Sequence, residues 1–201
     1  MTILVHHRAN SISQGSLVAK TRGAEIDLRL SFGEIVLAHD PFTEGSGFIE
    51  WLENFNGELL VLNVKEMGLE DHIVKIMKQV KPNLEYFFLD LVTPYIVSSV
   101  KKGFACASRF SEYEPLNLFL DLESTWLWVD SFSGTWDHID AFSDFPKIKQ
   151  KKICLVSPEL QGRELLTTFE YEIVLEKFKK NHCKIEAVCT KYPDFWERFV
   201  S

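Results

Sequence analysis

Apolar and polar positions alternate in short bursts along this chain, and between the bursts apolar residues return every three or four positions. Eight bursts read as strands: residues 3–7, 24–30, 59–64, 86–91, 104–108, 126–130, 152–156 and 185–189, with 35–39 added as a hairpin arm after the second. The helical period is clearest over residues 69–80 and 165–180, and weaker over 13–21 and 113–121. Strand and helix in alternation predict an α/β fold. Eight repeats predict a small (β/α)8 TIM barrel with a hairpin extension after strand 2. The alternative is an open doubly wound sheet, which expects a glycine-rich turn after the first strand; this chain has His7-Arg8-Ala9-Asn10 there. No composition shift or low-complexity linker divides the 201 residues, so one domain over 1–201 is expected.

The pattern over residues 24–39 gathers polar groups in an unusual way. Ile26, Leu28 and Leu30 fall on one face, Glu25, Asp27 and Arg29 on the other, and the arm ends in His39-Asp40. A solvated sheet face explains one such hairpin taken alone. The other strand ends argue for a shared site, because barrel enzymes carry their catalytic groups at the carboxyl ends of strands. Those ends hold His7-Arg8, Asn63 with Lys65, Asp90, Arg109 with Glu112, and Asp130. Ser157, Glu159, Gln161 and Arg163 end the seventh run, and Thr190-Lys191 the eighth. Polar strand ends above apolar strand bodies predict one polar cup, into which the hairpin acids point.

Composition narrows the partners. A formal charge of −7 argues against a nucleic-acid surface, which needs clustered Lys and Arg, and the basic runs 147–152 and 177–180 read as solvated helix ends. No apolar run reaches membrane-spanning length, so no transmembrane segment is expected, and Met1 to Val5 is followed at once by His6, His7 and Arg8, which leaves no leader-like apolar stretch. Cys106, Cys154, Cys183 and Cys189 lack metal-ligand spacing and read as small core residues in a reducing compartment, the cytoplasm.

On these residues the chain resembles the glycerophosphodiester phosphodiesterase family, within the barrel enzymes related to phosphatidylinositol-specific phospholipase C. The match runs in order over most of the chain. It comprises the pair His7-Arg8, "GAEIDLRL" followed by "GEIVLAHD" for the family's acidic hairpin and His-Asp end, "LNVK" for Glu-x-Lys, and "AVCTKYPDFW" for the closing segment. The resemblance implies hydrolysis of a small phosphodiester, a lipid headgroup or a glycan-linked phosphate. It implies a divalent ion, Mg2+ or Ca2+, on Glu25, Asp27 and the Asn63 position, with His7 and His39 as general acid and base. Arg8, Lys65 and Arg109, with Glu159, are the implied substrate- and phosphate-binding groups. His7, in phase with Ile3 and Val5 and directly before Arg8, is the family's histidine, and His6 is structural. His72, His138 and His182 are expected on the surface.

Departures from the family mark a diverged member. Asn10-Ser11-Ile12-Ser13 stands where the family has Pro-Glu-Asn, Asn63 replaces a Glu, Thr190-Lys191 replaces Thr-Asp, and "LVSPELQGR" ends the seventh strand differently. The Asn63 amide removes a negative charge, so weak metal binding is expected. A non-catalytic barrel that binds a phosphate ligand is the alternative function. Two histidines kept beside Glu25 and Asp27 favour the enzyme.

Overall fold

The computed structural model describes residues 1–116 and 124–200. Contacts gather into two compact units, Ile3–Cys106 and Ala107–Ser201, with Met1–Thr2 belonging to the second.

The first unit is organised by its longest strand. β1 (Ile3–His6), β2 (Arg22–Ser31), β5 (Leu59–Val64) and β6 (Glu85–Leu89) pair in parallel in the order β1-β2-β5-β6. β2 turns back into β3 (Glu34–Leu37) through Phe32-Gly33, at φ 49° and 87°, the doubly left-handed turn that a two-residue hairpin demands. β4 (Ser46–Gly47) extends this arm. β1 pairs with residues 22–24 of β2 and β3 with residues 28–31, so the stretch 25–27 lies between them. Loops close that gap. The Ala9 N–H donates to Glu25 O at 2.9 Å and the Ala38 N–H to Asp27 O at 3.0 Å, and the segments after β1 and β3 thereby converge on the two acids.

Four helices serve this unit: α1 (Ile12–Ser16), α2 (Phe48–Asn54), α3 (Glu70–Val80) and α4 (Thr93–Lys101). Ser11 and Gln14 form a capping box at α1, whose Gly15 lies so close to the Trp51 indole that a Cβ would collide with it. Trp51 is fully buried, stacks on Phe55 at 4.9 Å and donates through Nε1 to Ala9 O at 2.8 Å, which ties the loop after β1 to α2. The helix expected over 13–21 is only five residues long, because the chain turns to expose Leu17 and bury Val18.

The second unit has β7 (Ala107–Phe110), β8 (Trp126–Val129), β9 (Lys152–Val156) and β10 (Ile185–Thr190), parallel in that order. Three 3-10 turns, Asp137–Asp144, Pro146–Gln150 and Pro158–Gln161, stand where long helices are absent among the described residues. α5 (Thr168–Lys180) opens on a Thr167/Glu170 capping box, and α6 (Pro193–Val200) buries Trp196 against Tyr171. The expected strand over 104–108 begins later, at Ala107, with Cys106 making a lone bridge to Phe88. Residues 113–116 are not helical, and the rest of the helix expected over 113–121 lies outside the described residues.

All four cysteines are buried and unbridged, and burial, with Glu70 nearby, pushes the Cys106 thiol up to about 12. His138 is partly buried rather than exposed. Phe110 and Trp136 pack against its ring at 5.1 and 6.1 Å, and this burial lowers its pKa. His72 and His182 are exposed, as expected. No helix among the described residues is long and apolar enough to cross a membrane.

Candidate active site

Glu25 and Asp27 are 1% and 0% exposed, so the polar face of the hairpin is not a solvated one. Two carboxylates on one strand face, out of water, repel each other and need donors. The Arg8 N–H donates to Glu25 Oε2 at 2.7 Å and Asn63 Nδ2 to Glu25 Oε1 at 2.9 Å, with His7 Nε2 3.8 Å from Oε2. Asn10 grips Asp27 twice, through Nδ2 to Oδ2 at 2.8 Å and by accepting the Asp27 N–H at 2.9 Å. Lys65 Nζ lies 3.1 Å from Asp27 Oδ1 and 3.7 Å from Asp90 Oδ2. The donors do not balance the burial: desolvation, and then the Asp27 charge, raise Glu25 to about 7.

The backbone aims these groups. β1 ends at His6, and Arg8 adopts φ 53°, a left-handed conformation that costs an L-residue about 1–2 kcal/mol. That turn points the Arg8 N–H at Glu25 while its guanidinium reaches His39, Nη2 to Nε2 at 2.6 Å. Because Arg8 can only donate, His39 Nε2 is the lone-pair nitrogen, and Nδ1–H donates to Asp40 Oδ1 at 2.8 Å. Arg29 holds the His39 carbonyl through Nε and Nη2, at 3.2 and 2.9 Å, and is itself anchored on Glu66 at 3.1 Å. His6 Nε2 lies 3.5 Å from Arg22 Nη1.

The donor set has room for a hard cation. Asn63 Oδ1 is a buried acceptor with no hydrogen-bond donor; Asn63 faces Asp27 in the β2–β5 register, and Asp27 Oδ1 is met by the Lys65 ammonium at 3.1 Å without a hydrogen bond. Such oxygens suit Mg2+ or Ca2+. With an amide at the third corner, no group of three or more His, Cys, Asp or Glu forms a ready metal cluster among the described residues.

Three solved structures resemble the chain over nearly its whole length. A glycerophosphodiester phosphodiesterase from Thermotoga maritima matches at TM-score 0.69 and 18% identity, covering 98% of each chain. The chain has the fold of these barrels. A Ca2+-dependent phosphatidylinositol-specific phospholipase C from Streptomyces antibioticus matches at TM-score 0.57 and 10% identity, covering 96% of this chain and 95% of that one. A mutant tryptophan synthase α-subunit from Pyrococcus furiosus matches at TM-score 0.55 and 12% identity, covering 98% and 90%. The third neighbour is no phosphodiesterase, so function has to be argued from the site. No family model matches the chain, and no curated protein does.

His7, Arg8, Glu25, Asp27, His39, Asn63 and Lys65 thus form one network in the first unit. Arg109 and Glu159 belong to the second. Arg109 lies between Glu114 and Asp130, each at 3.2 Å. Glu159 accepts Thr190 Oγ1 at 2.6 Å and the Lys191 N–H at 2.9 Å on one oxygen and the Ser157 hydroxyl on the other, which joins the ends of β9 and β10. Asp40 and Asp90, named among the polar strand ends but given no role, are members of the first network too, and Asn10 is the member that the residues alone do not place in the site. Asn10 has one signal, its place two residues after His7-Arg8.

Proposed function

We propose that the chain is a phosphodiester hydrolase, acting on a small phosphodiester, a lipid headgroup or a glycan-linked phosphate in the cytoplasm. The observation that carries the reading is the continuity of one cluster: His7 beside Glu25, the Arg8 backbone on Glu25, the Arg8 side chain on His39. His7 beside the buried acids, and His39 joined to them through Arg8 and oriented by Asp40, supply two groups for proton transfer on the two sides of a phosphorus. Arg8 and Lys65 bind the phosphoryl oxygens. Glu159 contributes by holding Ser157, Thr190 and Lys191. Glu25, Asp27 and Asn63 hold a divalent ion, which when bound neutralises phosphate charge and lowers the pKa of a substrate hydroxyl. Arg8 must leave His39 Nε2 for that nitrogen to take or give a proton, and an incoming phosphate draws the guanidinium away.

A binding-only barrel has one observation in its favour. All four oxygens of Glu25 and Asp27 already face donors or a cation from the chain itself: Asn63, Arg8, Asn10 and Lys65. The test is turnover of glycerophosphocholine, glycerophosphoethanolamine, glycerophosphoinositol and a sugar-phosphate diester with Mg2+ or Ca2+. Hydrolysis of any one, lost in His7→Ala, supports the enzyme. Tight binding of one without turnover on all four overturns it.

A further inference from the structure

Arg29 is the third polar residue on the hairpin face, and the chemistry proposed above leaves it without a part. Its side chain is only 16% exposed and its guanidinium is fully engaged. Nε and Nη2 donate to the His39 carbonyl at 3.2 and 2.9 Å, and Nη1 donates to Glu66 Oε1 at 3.1 Å. Glu66 is placed to receive it. β2 and β5 pair only as far as Leu28 and Val64, and the chain then leaves the sheet. The Lys65 N–H makes the last backbone bond, to Leu28 O at 3.0 Å. Beyond it, where β5 offers no further carbonyl, Glu66 Oε2 accepts the Leu30 N–H at 3.2 Å. One oxygen of Glu66 thus extends the ladder and the other holds Arg29. With a carboxylate beside it and its nitrogens occupied, Arg29 is spent on structure and is not a phosphate ligand.

What the clamp holds is the backbone of a mobile kind of residue. His39 lies two positions beyond β3, in a loop, with its side chain 38% exposed. The ring has two holds, Asp40 Oδ1 at 2.8 Å on a side chain 73% exposed, and Arg8 Nη2 at 2.6 Å. An ion pair so open to water restrains little. Arg8, for its part, has to withdraw before Nε2 can exchange a proton. After that withdrawal the Ala38 N–H on Asp27 O fixes the chain up to its neighbour, and the forked bond from Arg29 fixes His39 itself to the strand that carries Glu25 and Asp27. We propose that Arg29 and Glu66 are positioning residues: they keep His39 in register with the buried acids of β2 while Arg8 moves from imidazole to phosphate.

The proposal rests on the phosphodiesterase reading, and its test has one arm that needs turnover and one that does not. In the first, Arg29→Met should lower kcat by roughly 10- to 100-fold on whichever of the four diesters is hydrolysed, and Glu66→Ala roughly tenfold. KM should change less than about twofold, because a misplaced imidazole slows the chemistry and leaves Arg8 and Lys65 to bind. Arg29→Lys keeps the charge and one donor but not the fork, and should recover part of the loss. In the second arm, NMR of the full chain reads the His39 Cε1–H signal and the exchange of the Leu30 amide. Arg29→Met should broaden or split the His39 signal and leave that of His7 unchanged, and Glu66→Ala should speed Leu30 exchange roughly tenfold. Circular dichroism and thermal melts check the fold of each variant. A lower melting temperature with unchanged kcat assigns Arg29 to stability alone and overturns the proposal. An unaltered His39 signal in Arg29→Met overturns it whether or not any diester is turned over, whereas absence of turnover by the wild type, with the His39 signal altered in Arg29→Met, removes the phosphodiesterase reading and keeps the clamp.

Discussion

Glu25 in the first unit and Glu112 in the second are the same side chain placed in opposite circumstances. Glu25 is wholly buried, shares its strand face with Asp27 and is raised to about 7, burial being the main cause and Asp27 the next. Glu112 sits in a loop; burial pushes it upward too, but the Ser133 hydroxyl and the N–H groups of Ser133 and Phe132 outweigh that and hold it at about 2. One carboxylate is kept in a state it resists, and the other is stabilised as an anion. Structure has little reason to bury two acids side by side, whereas a loop has every reason to wrap on one. The difference separates a candidate reaction centre from a structural staple more sharply than residue type does.

The comparison breaks most visibly at the histidines, where the first unit is expected to act chemically. His7→Ala and His39→Ala should each lower phosphodiester turnover by roughly 10²- to 10⁴-fold, with the double substitution costing less than the product of the two. Steady-state kinetics on the purified variants measures this. A loss under about tenfold from either single change removes the acid–base pair.

Glu25→Gln probes the cost of the buried acid. The folded carboxyl titrates near 7 against 4.5 in the unfolded chain, so between those values the native state holds the extra proton. Stability therefore falls as pH rises from about 4.5 through about 7 and is level above. In Glu25→Gln that decline should flatten in thermal melts across the window, together with a loss of activity of roughly 10²-fold or more. A melt profile that keeps the wild-type slope assigns the slope to other groups.

Asn63 is where the first unit departs from the family it resembles. Asn63→Glu restores a carboxylate opposite Asp27 in the sheet register and should tighten Mg2+ or Ca2+ binding by roughly tenfold, read by calorimetry rather than turnover. Unchanged affinity places Asn63 outside the ligand set, and its amide then serves only to donate to Glu25.

What could be read from residues alone follows the same divide. β5 and β9 have the bounds expected for residues 59–64 and 152–156, because apolar residues on both faces of a parallel strand leave little ambiguity. Strand parity favours His7 over His6, but the strand stops at His6 and His7 reaches Glu25 from the turn that Arg8 makes. The hairpin acids stood out because alternation forced them to one face. Asp40 and Asp90 stand out only as strand-end polar groups, and Asn10 gives no comparable pattern, since the partners of all three come from loops meeting across the sheet. Glu159 reads as a substrate group from its place at a strand end, and its bonds to Ser157, Thr190 and Lys191, made by loops meeting, have no signal in the pattern. His138, expected on the surface, is partly buried for the same reason: the aromatic rings packed on it come from β7 and from beside its own 3-10 turn.

Glu112→Gln gives the smallest effect and tests the other half of the comparison. An anion held at about 2 in the folded chain and near 4.5 in the unfolded one contributes stability that is fully present above about 4.5 and is lost as pH falls toward 2. A neutral amide keeps part of the hydrogen bonding to Ser131, Phe132 and Ser133 but forfeits its charge-assisted strength. At pH 7 the variant should melt roughly 2–4 °C below the wild type, the shift expected for about 1 kcal/mol in a chain of this size. The two melting curves should then converge as pH falls from 4.5 toward 2. A gap that stays constant through that window means Glu112 acts through shape and not charge, and the contrast with Glu25 then rests on burial alone.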